Sequence, residues 1–302
     1  MIDAIKNTTR ALVPAKTINW VFDRWTACRL WVMKWRIIGF LEHDEQTFPE
    51  AERQRVVIWL RRHKIAMLPY DLRVEPDAVK VHLDAETGFK YVLHEGKRLY
   101  FIRGRSDEAV RRAFSNLLVE QLAESPHRYT DSVCDVGAGD VVVDIGASEG
   151  FFALSVIERV SKVYLVECEP AWIDALNLTF APYRDKIEIV AKYVADRSDG
   201  QNLTTLDDLL RGRPANFIKA DIEGAEMAML RGAERTLAGT GPLKLTLCAY
   251  HNERDADDLR TFLEARGFDT RFSPHYMILY SDPRLRAPWL RHGVIRAVKQ
   301  VP

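Results

Sequence analysis

Residues 141–170 read VVVDIGASEGFFALSVIERVSKVYLVECEP. The opening run, Val141-Val142-Val143, is short, β-branched and closed by Asp144-Ile145-Gly146. That pattern predicts a strand buried on both faces, as in a parallel sheet. Gly146 and Gly150 follow, then helical spacing from Phe151 to Val160, then a second apolar run from 163 to 166 that ends in Glu167. Strand, glycine turn, helix, strand and acid make up the nucleotide-binding half of a doubly wound sheet.

The same residues suit a cofactor. At Gly146 the chain turns with no Cβ in the way, so a ligand can lie against bare backbone. A helix opening near Gly150 offers free N–H groups to a carboxylate or phosphate. Glu167 stands 21 residues past Gly146, at a strand end where it can accept bonds from both ribose hydroxyls. Nicotinamide and S-adenosylmethionine sites share these features, and the turn separates them. A dinucleotide site wants G-x-G-x-x-G, whereas Gly146-Ala147-Ser148-Glu149-Gly150 lacks the middle glycine. Asp144 and Glu149 would set negative charge beside a pyrophosphate. S-adenosylmethionine has no phosphate, and its ammonium and sulfonium groups are cationic, so an acidic lining suits it.

Four groups of residues then carry a resemblance: 143–150 (VDIGASEG), Glu169-Pro170, 205–209 (TLDDL) and 217–226 (FIKADIEGAE). In this order and spacing they resemble the motif series of FkbM-type S-adenosylmethionine-dependent methyltransferases, over about residues 120–280. The resemblance implies a Rossmann-like class I methyltransferase sheet, α/β and mostly parallel with one antiparallel strand, here behind an N-terminal α+β extension. It also implies methyl transfer to a hydroxyl, with a sugar of a glycan or secondary metabolite as acceptor. Two positions depart from the family pattern. The second strand ends Val166-Glu167-Cys168-Glu169-Pro170 in place of aromatic-Glu-Pro, so either acid could hold the ribose; Glu167, nearer the strand, is preferred. Ser148 stands where asparagine is usual.

The chain has 302 residues, 47% of them hydrophobic, enough for one large domain and smaller parts. The expected division is 1–66 helical, 67–124 small strands plus a helix, and 125–302 cofactor-binding. Forty-three basic and 43 acidic residues cancel, which argues against a nucleic-acid partner. Cys28, Cys134, Cys168 and Cys248 show no paired spacing, so neither disulfides nor structural zinc are expected, and reduced thiols in a cytoplasmic protein are. The first sixteen residues lack the pattern of a secretory signal.

Residues 17–41 read TINWVFDRWTACRLWVMKWRIIGFL, with Trp20, Trp25, Trp31 and Trp35 among basic residues. The recurring charges exclude a transmembrane span. Trp with Arg suits an interfacial membrane helix. The apolar residues circle the helix, however, which favours packing on its own domain or on a second subunit in a homodimer. A second helix is expected over 49–64, with acids early and bases late. Strands follow over 79–83, 89–93 and 98–102, then a helix over 107–123. Residues 125–129 (SPHRY) enter the main domain and could touch the substrate or the methionine end of the cofactor, or simply end the helix at Pro126.

Beyond Pro170 the expected order is helix 172–180, strand 187–193, helix 205–210, strand 217–220, helix 223–237, strand 243–249 and helix 254–266. A terminal hairpin, 268–272 with 276–280, is expected to complete the sheet. Asp196 could accept the adenine amino group, or form a turn. Asp221 and His251 follow adjacent strands, so both could face a reacting methyl group. His251 suits a general base, because its pKa lies near neutrality. Asp221 could bind the acceptor hydroxyl or fix the imidazole tautomer. Glu223 is either catalytic or an acid serving the helix dipole. The expected cofactor set is Asp144, Gly146, Ala147, Ser148, Gly150, Glu167, Asp196 and Asp221; the catalytic set is His251, Asp221 and Glu223. Asp221, Glu223 and His251 could hold a divalent cation, but no metal-binding spacing favours it. Two rival readings are a non-catalytic scaffold acting through the Trp-rich helices and an NAD-dependent oxidoreductase.

Overall fold

The computed structural model describes residues 15–299, with side chains from residue 24 onward. The expectation for the first residues and the side chain of Trp20 therefore lie outside the described residues. The chain divides into two compact units, one of residues up to 71 with 278–290, the other of 72–277 with the residues from 291. Segment 278–290 thus joins the N-terminal unit, where sequence had put it in the cofactor-binding domain.

In the first unit, helix α1 (Ala15–His43) contacts α2 (Glu50–Arg62). Ile37, Ile38 and Leu41 of α1 are buried, as are Val56, Val57 and Leu60 of α2. The connection is fixed by Asp44, which accepts from the N–H groups of Thr47 (3.0 Å) and Phe48 (3.1 Å). Segment 278–290 is tied in by Ile278 N–H donating to the Met67 carbonyl (3.0 Å) and by Arg29 donating to the Tyr280 carbonyl (3.1 Å). No described helix is long and apolar enough to cross a membrane.

The second unit opens with a small antiparallel sheet, β1 (His82–Leu83), β2 (Lys90–His94) and β3 (Lys97–Tyr100). Helix α3 (Asp107–Glu120) follows, its first turn closed by the Ser106 hydroxyl accepting from Ala109 N–H. The main sheet then begins with β4 (Val141–Ile145), α4 (Phe151–Val156), β5 (Lys162–Val166), α5 (Pro170–Thr179) and β6 (Ile187–Val190). A short pair, β7 (Tyr193–Val194) and β8 (Leu203–Thr204), precedes α6 (Leu206–Leu210) and β9 (Phe217–Ala220). After these come α7 (Glu226–Arg231), α8 (Glu234–Ala238), β10 (Leu243–Cys248), α9 (Asp255–Glu264) and β11 (Asp269–Phe272). The last are β12 (Tyr276–Met277), β13 (Arg291–His292) and β14 (Val294–Lys299).

Among the described residues the main sheet has seven strands in the order β11-β14-β10-β9-β4-β5-β6. Only β14 runs antiparallel to its neighbours, β10 and β11. This is the expected α/β sheet, mostly parallel with one antiparallel strand. The chain winds outward from β4 through β5 to β6, then returns to place β9 on the other side of β4. The carboxyl ends of β4 and β9 therefore flank the switch in strand order, where ligands bind in open α/β sheets.

Three expectations are corrected. The third strand stops at Val190, and Tyr193–Val194 pairs with β8 in a separate sheet. The helix expected over 223–237 is two short helices, α7 and α8. Between them Gly232 passes so close to another segment that a Cβ there would lie 2.2 Å from the Ala195 carbonyl oxygen. The terminal hairpin does not form: β12 pairs with β13, and β14 is the strand that inserts. Arg296 hides β14 in the sequence by interrupting its apolar run. It is buried in the fold because Asp131 (3.0 Å) and the Tyr129 carbonyl (3.1 Å) meet its guanidinium.

Candidate active site

The turn after β4 is shaped by what lies behind it. Gly146 has φ +73°, and a Cβ there would fall 2.0 Å from the Asp221 carbonyl oxygen. The glycine is needed because the end of β9 presses against the turn, a cause that spacing alone did not reveal. Gly146→Ala is expected to cost about 3 kcal/mol or more, from the left-handed backbone and the overpacking together. Urea unfolding would measure this, and a loss below about 1 kcal/mol would contradict the tight approach. Gly150 likewise leaves room for Phe180 and Leu176, whose atoms lie 2.6 and 2.7 Å from its ideal Cβ position. Ala147 is buried, its N–H on the Val166 carbonyl at 3.2 Å. Ser148 has φ +50°, a conformation asparagine tolerates better, and its N–H donates to Glu167 Oε2 at 2.8 Å. Glu167 Oε1 accepts from Glu169 N–H at 2.9 Å. Glu167 is buried at the end of β5, while Glu169 is exposed.

Asp144 is placed otherwise than a cofactor lining would require. It is fully buried, 3.1 Å from the Nζ of Lys219 on the neighbouring strand β9. Lys219 also donates to the Gly146 carbonyl at 2.7 Å and lies 5.1 Å from the Tyr129 ring centre. Burial would lower the Lys219 pKa, but Asp144 and Asp221 outweigh it and hold the ammonium charged. The lysine so pins the glycine turn to β9. A charged residue inside an apolar strand was the signal available in the sequence.

Asp221, at the end of β9, gathers the site. Its Oδ2 accepts from the Tyr129 hydroxyl at 2.9 Å and lies 3.5 Å from His127 Nε2. Its Oδ1 lies 3.5 Å from His251 Nε2. The other nitrogen of His251, Nδ1, is 3.1 Å from Glu226 Oε1, which also accepts from Ile222 N–H at 3.0 Å. Asp221 and His251 thus meet as expected from their strand ends, with the imidazole between two carboxylates. Glu223 is not the second of these. Its side chain is 95% exposed, its backbone has φ +55°, and its nearest approach to His251 is 3.9 Å. Glu226, from the same motif, faces inward and is buried.

The electrostatics follow from these contacts. Burial opposes ionisation of Asp221, yet His127, Lys219 and His251 hold its carboxyl well below the usual range. Burial lowers the His251 pKa, but Glu226, then Asp221 and Glu223, raise it above the ordinary value. His127 is raised as well, with Glu120 and Asp221 overcoming its burial. Burial raises Glu120 and Glu149. Asp196 stands apart, exposed in the loop after β7 with Arg197 at 3.5 Å. Asp221, Glu226 and His251 offer ligand atoms within 4.8 Å of one another. The two ring nitrogens face different carboxylates, however, which suits a hydrogen-bonded chain better than one shared ion. Of the entrance segment 125–129, His127 and Tyr129 reach Asp221, contacts that no sequence spacing disclosed.

Residues 197–270 match the model of the Methyltransferase FkbM domain. The match takes in two of the four motif groups, 205–209 and 217–226, and bears out the resemblance: this stretch is similar to an FkbM methyltransferase domain. No curated protein sequence matches. Among solved structures, the chain is similar to a methyltransferase FkbM from Methylobacillus flagellatus KT, at 20% identity and TM-score 0.43 over 63% of this chain. That alignment spans about half of the other protein's length, 54%. It is also similar to a precorrin 8w decarboxylase from Methanobacterium thermoautotrophicum, at 19% identity and TM-score 0.39 over 55% of this chain and 83% of that one. A third likeness is to M. jannaschii TYW2 in complex with AdoMet, at 16% identity and TM-score 0.37 over 73% and 85% of the two chains.

Proposed function

We propose that this methyltransferase uses S-adenosylmethionine to methylate a hydroxyl oxygen, that of a sugar in a glycan or secondary metabolite. The observation that carries the reading is the Asp221–His251–Glu226 arrangement at the switch point, beside an acid-lined glycine turn. When bound, S-adenosylmethionine supplies a methyl carbon on a sulfonium that leaves as a neutral thioether. Glu167 is the acid for the ribose hydroxyls, and Gly146, Ala147, Ser148 and Gly150 form the turn around the ligand. Glu120, Glu149 and Asp221 complement its positive charge, where a pyrophosphate would be repelled. Asp196 is assigned to the adenine amino group. Asp144 acts through Lys219 rather than by contact.

An alcohol is a poor nucleophile until its proton has somewhere to go. His251 Nε2 takes that proton as the oxygen bonds to the methyl carbon and the carbon–sulfur bond breaks. Glu226 at Nδ1 orients the ring and stabilises the imidazolium, the role a buried carboxylate plays behind a general-base histidine. Asp221 positions the acceptor and the ring from the other side. Positioning of this kind contributes roughly 7–11 kcal/mol in well-oriented systems. The oxygen nucleophile rests on the family resemblance together with His251, the saccharide on the resemblance, and a cytoplasmic location on the unpaired spacing of the four cysteines.

Calorimetric titration with S-adenosylhomocysteine, with NAD in parallel, tests the cofactor. Micromolar binding of the first is expected, weakened about tenfold or more by Glu167→Ala as charge-assisted hydrogen bonds are lost. Binding of NAD alone would reject the proposal.

A further inference from the structure

Helix α1 buries Ile37, Ile38 and Leu41, yet it leaves Trp25, Trp31 and Trp35 exposed by 56%, 62% and 46%. At 3.6 residues per turn, Arg24, Cys28, Trp31 and Trp35 fall within about 60° of the helix surface, with Trp25 and Arg36 along one edge. All six are exposed. The rings of Trp31 and Trp35 meet edge to face at 6.3 Å. Trp25, Cys28 and Arg36 also border a groove of about 390 Å³ whose other wall includes Trp289.

Charge separates in the same way. Residues 1–71 with 278–290 hold 14 basic and nine acidic side chains, leaving 29 basic and 34 acidic in the rest of the chain. A chain of zero net charge therefore concentrates a positive excess in the unit that exposes its tryptophans.

We propose that this face of α1 docks onto an anionic lipid surface. Tryptophan rings, apolar in body and polar at one edge, settle at the headgroup level. Basic residues beside them are attracted to anionic lipid, and only within a Debye length of it. A helix lying in the interface is the arrangement such a face fits, and the absence of a long apolar stretch among the described helices agrees with lying rather than spanning. A second copy of the chain is disfavoured as the occupant, since it would bring two like-charged faces together.

Co-sedimentation of the full chain with phosphatidylcholine vesicles, with and without phosphatidylserine, tests this. Binding to the phosphatidylserine vesicles is expected to be at least about tenfold tighter, and to weaken with added salt. The double variant Trp31→Ala/Trp35→Ala should lose most of the binding, and Arg36→Glu should weaken it, while S-adenosylhomocysteine titration of each reports an intact catalytic unit. No sedimentation with either vesicle, or equal sedimentation with both, would overturn the proposal. So would a dimer in vesicle-free solution that the tryptophan variant dissolves.

Discussion

Replacing Lys219 by methionine is expected to destabilise the second unit by about 3–5 kcal/mol, the range for breaking a buried ion pair by removing one partner. The side chains of Lys219 and Asp144 are only 5% and 1% exposed, so water cannot take the place of the lost ammonium. Three things go at once: the counter-ion of Asp144, the donor to the Gly146 carbonyl and the cation over the Tyr129 ring. Burial would then push Asp144 towards its neutral form. A volume-matched apolar pair behaves differently, because it leaves no buried charge. Lys219→Met/Asp144→Val should therefore recover much of the loss. A double-mutant cycle from urea unfolding measures the coupling directly. Strictly additive losses would show that the two residues do not act as a pair. The single variant should also bind S-adenosylhomocysteine more weakly, since the glycine turn loses its tie to β9.

His251→Ala is expected to lower turnover by about 10²–10⁴-fold, the usual contribution of a general base. Product release as S-adenosylhomocysteine would report it, with titration of that ligand confirming that cofactor binding persists. Unchanged turnover would remove His251 from the chemistry. The pH dependence has a definite sign. The His251 pKa is raised, so the neutral imidazole needed to accept a proton is depleted as pH falls, and the activity limb should lie above about 6.5. Glu226→Gln removes the largest raising partner while keeping an acceptor for Ile222 N–H, so the limb should move down in pH and turnover should fall. Stability runs the other way. The stabilisation His251 gains from Glu226 and Asp221 is fully present below its unfolded pKa of about 6.5 and is lost as pH rises through the higher folded value. A Glu226→Gln limb that stays in place would detach the glutamate from the histidine.

The two glutamates of 223–226 show where reading a sequence stops. Both are acids near the start of a helix, and spacing cannot rank them. In the fold, a left-handed backbone at Glu223 turns its side chain to solvent, and Glu226 faces inward to His251. Asp144 shows the same limit. An acid at the end of a strand can face a ligand or a neighbouring strand, and only the presence of Lys219 on β9 decides. β14 was hidden because a buried arginine broke its apolar run, and the partner that makes the burial possible is 165 residues away.

Local pattern alone determined the strand–turn–helix–strand of 141–166, the acid at Glu167, the alternation that makes an α/β sheet, and the strand-end positions of Asp221 and His251. Each depends on periodicity or on residues close in the chain, where backbone preference and burial speak directly. Tertiary structure decided which strand inserts antiparallel, why Gly146 must be glycine, and which carboxylate holds the histidine. Those outcomes depend on distances between segments tens to more than a hundred residues apart, and such distances exist only once the sheet has closed.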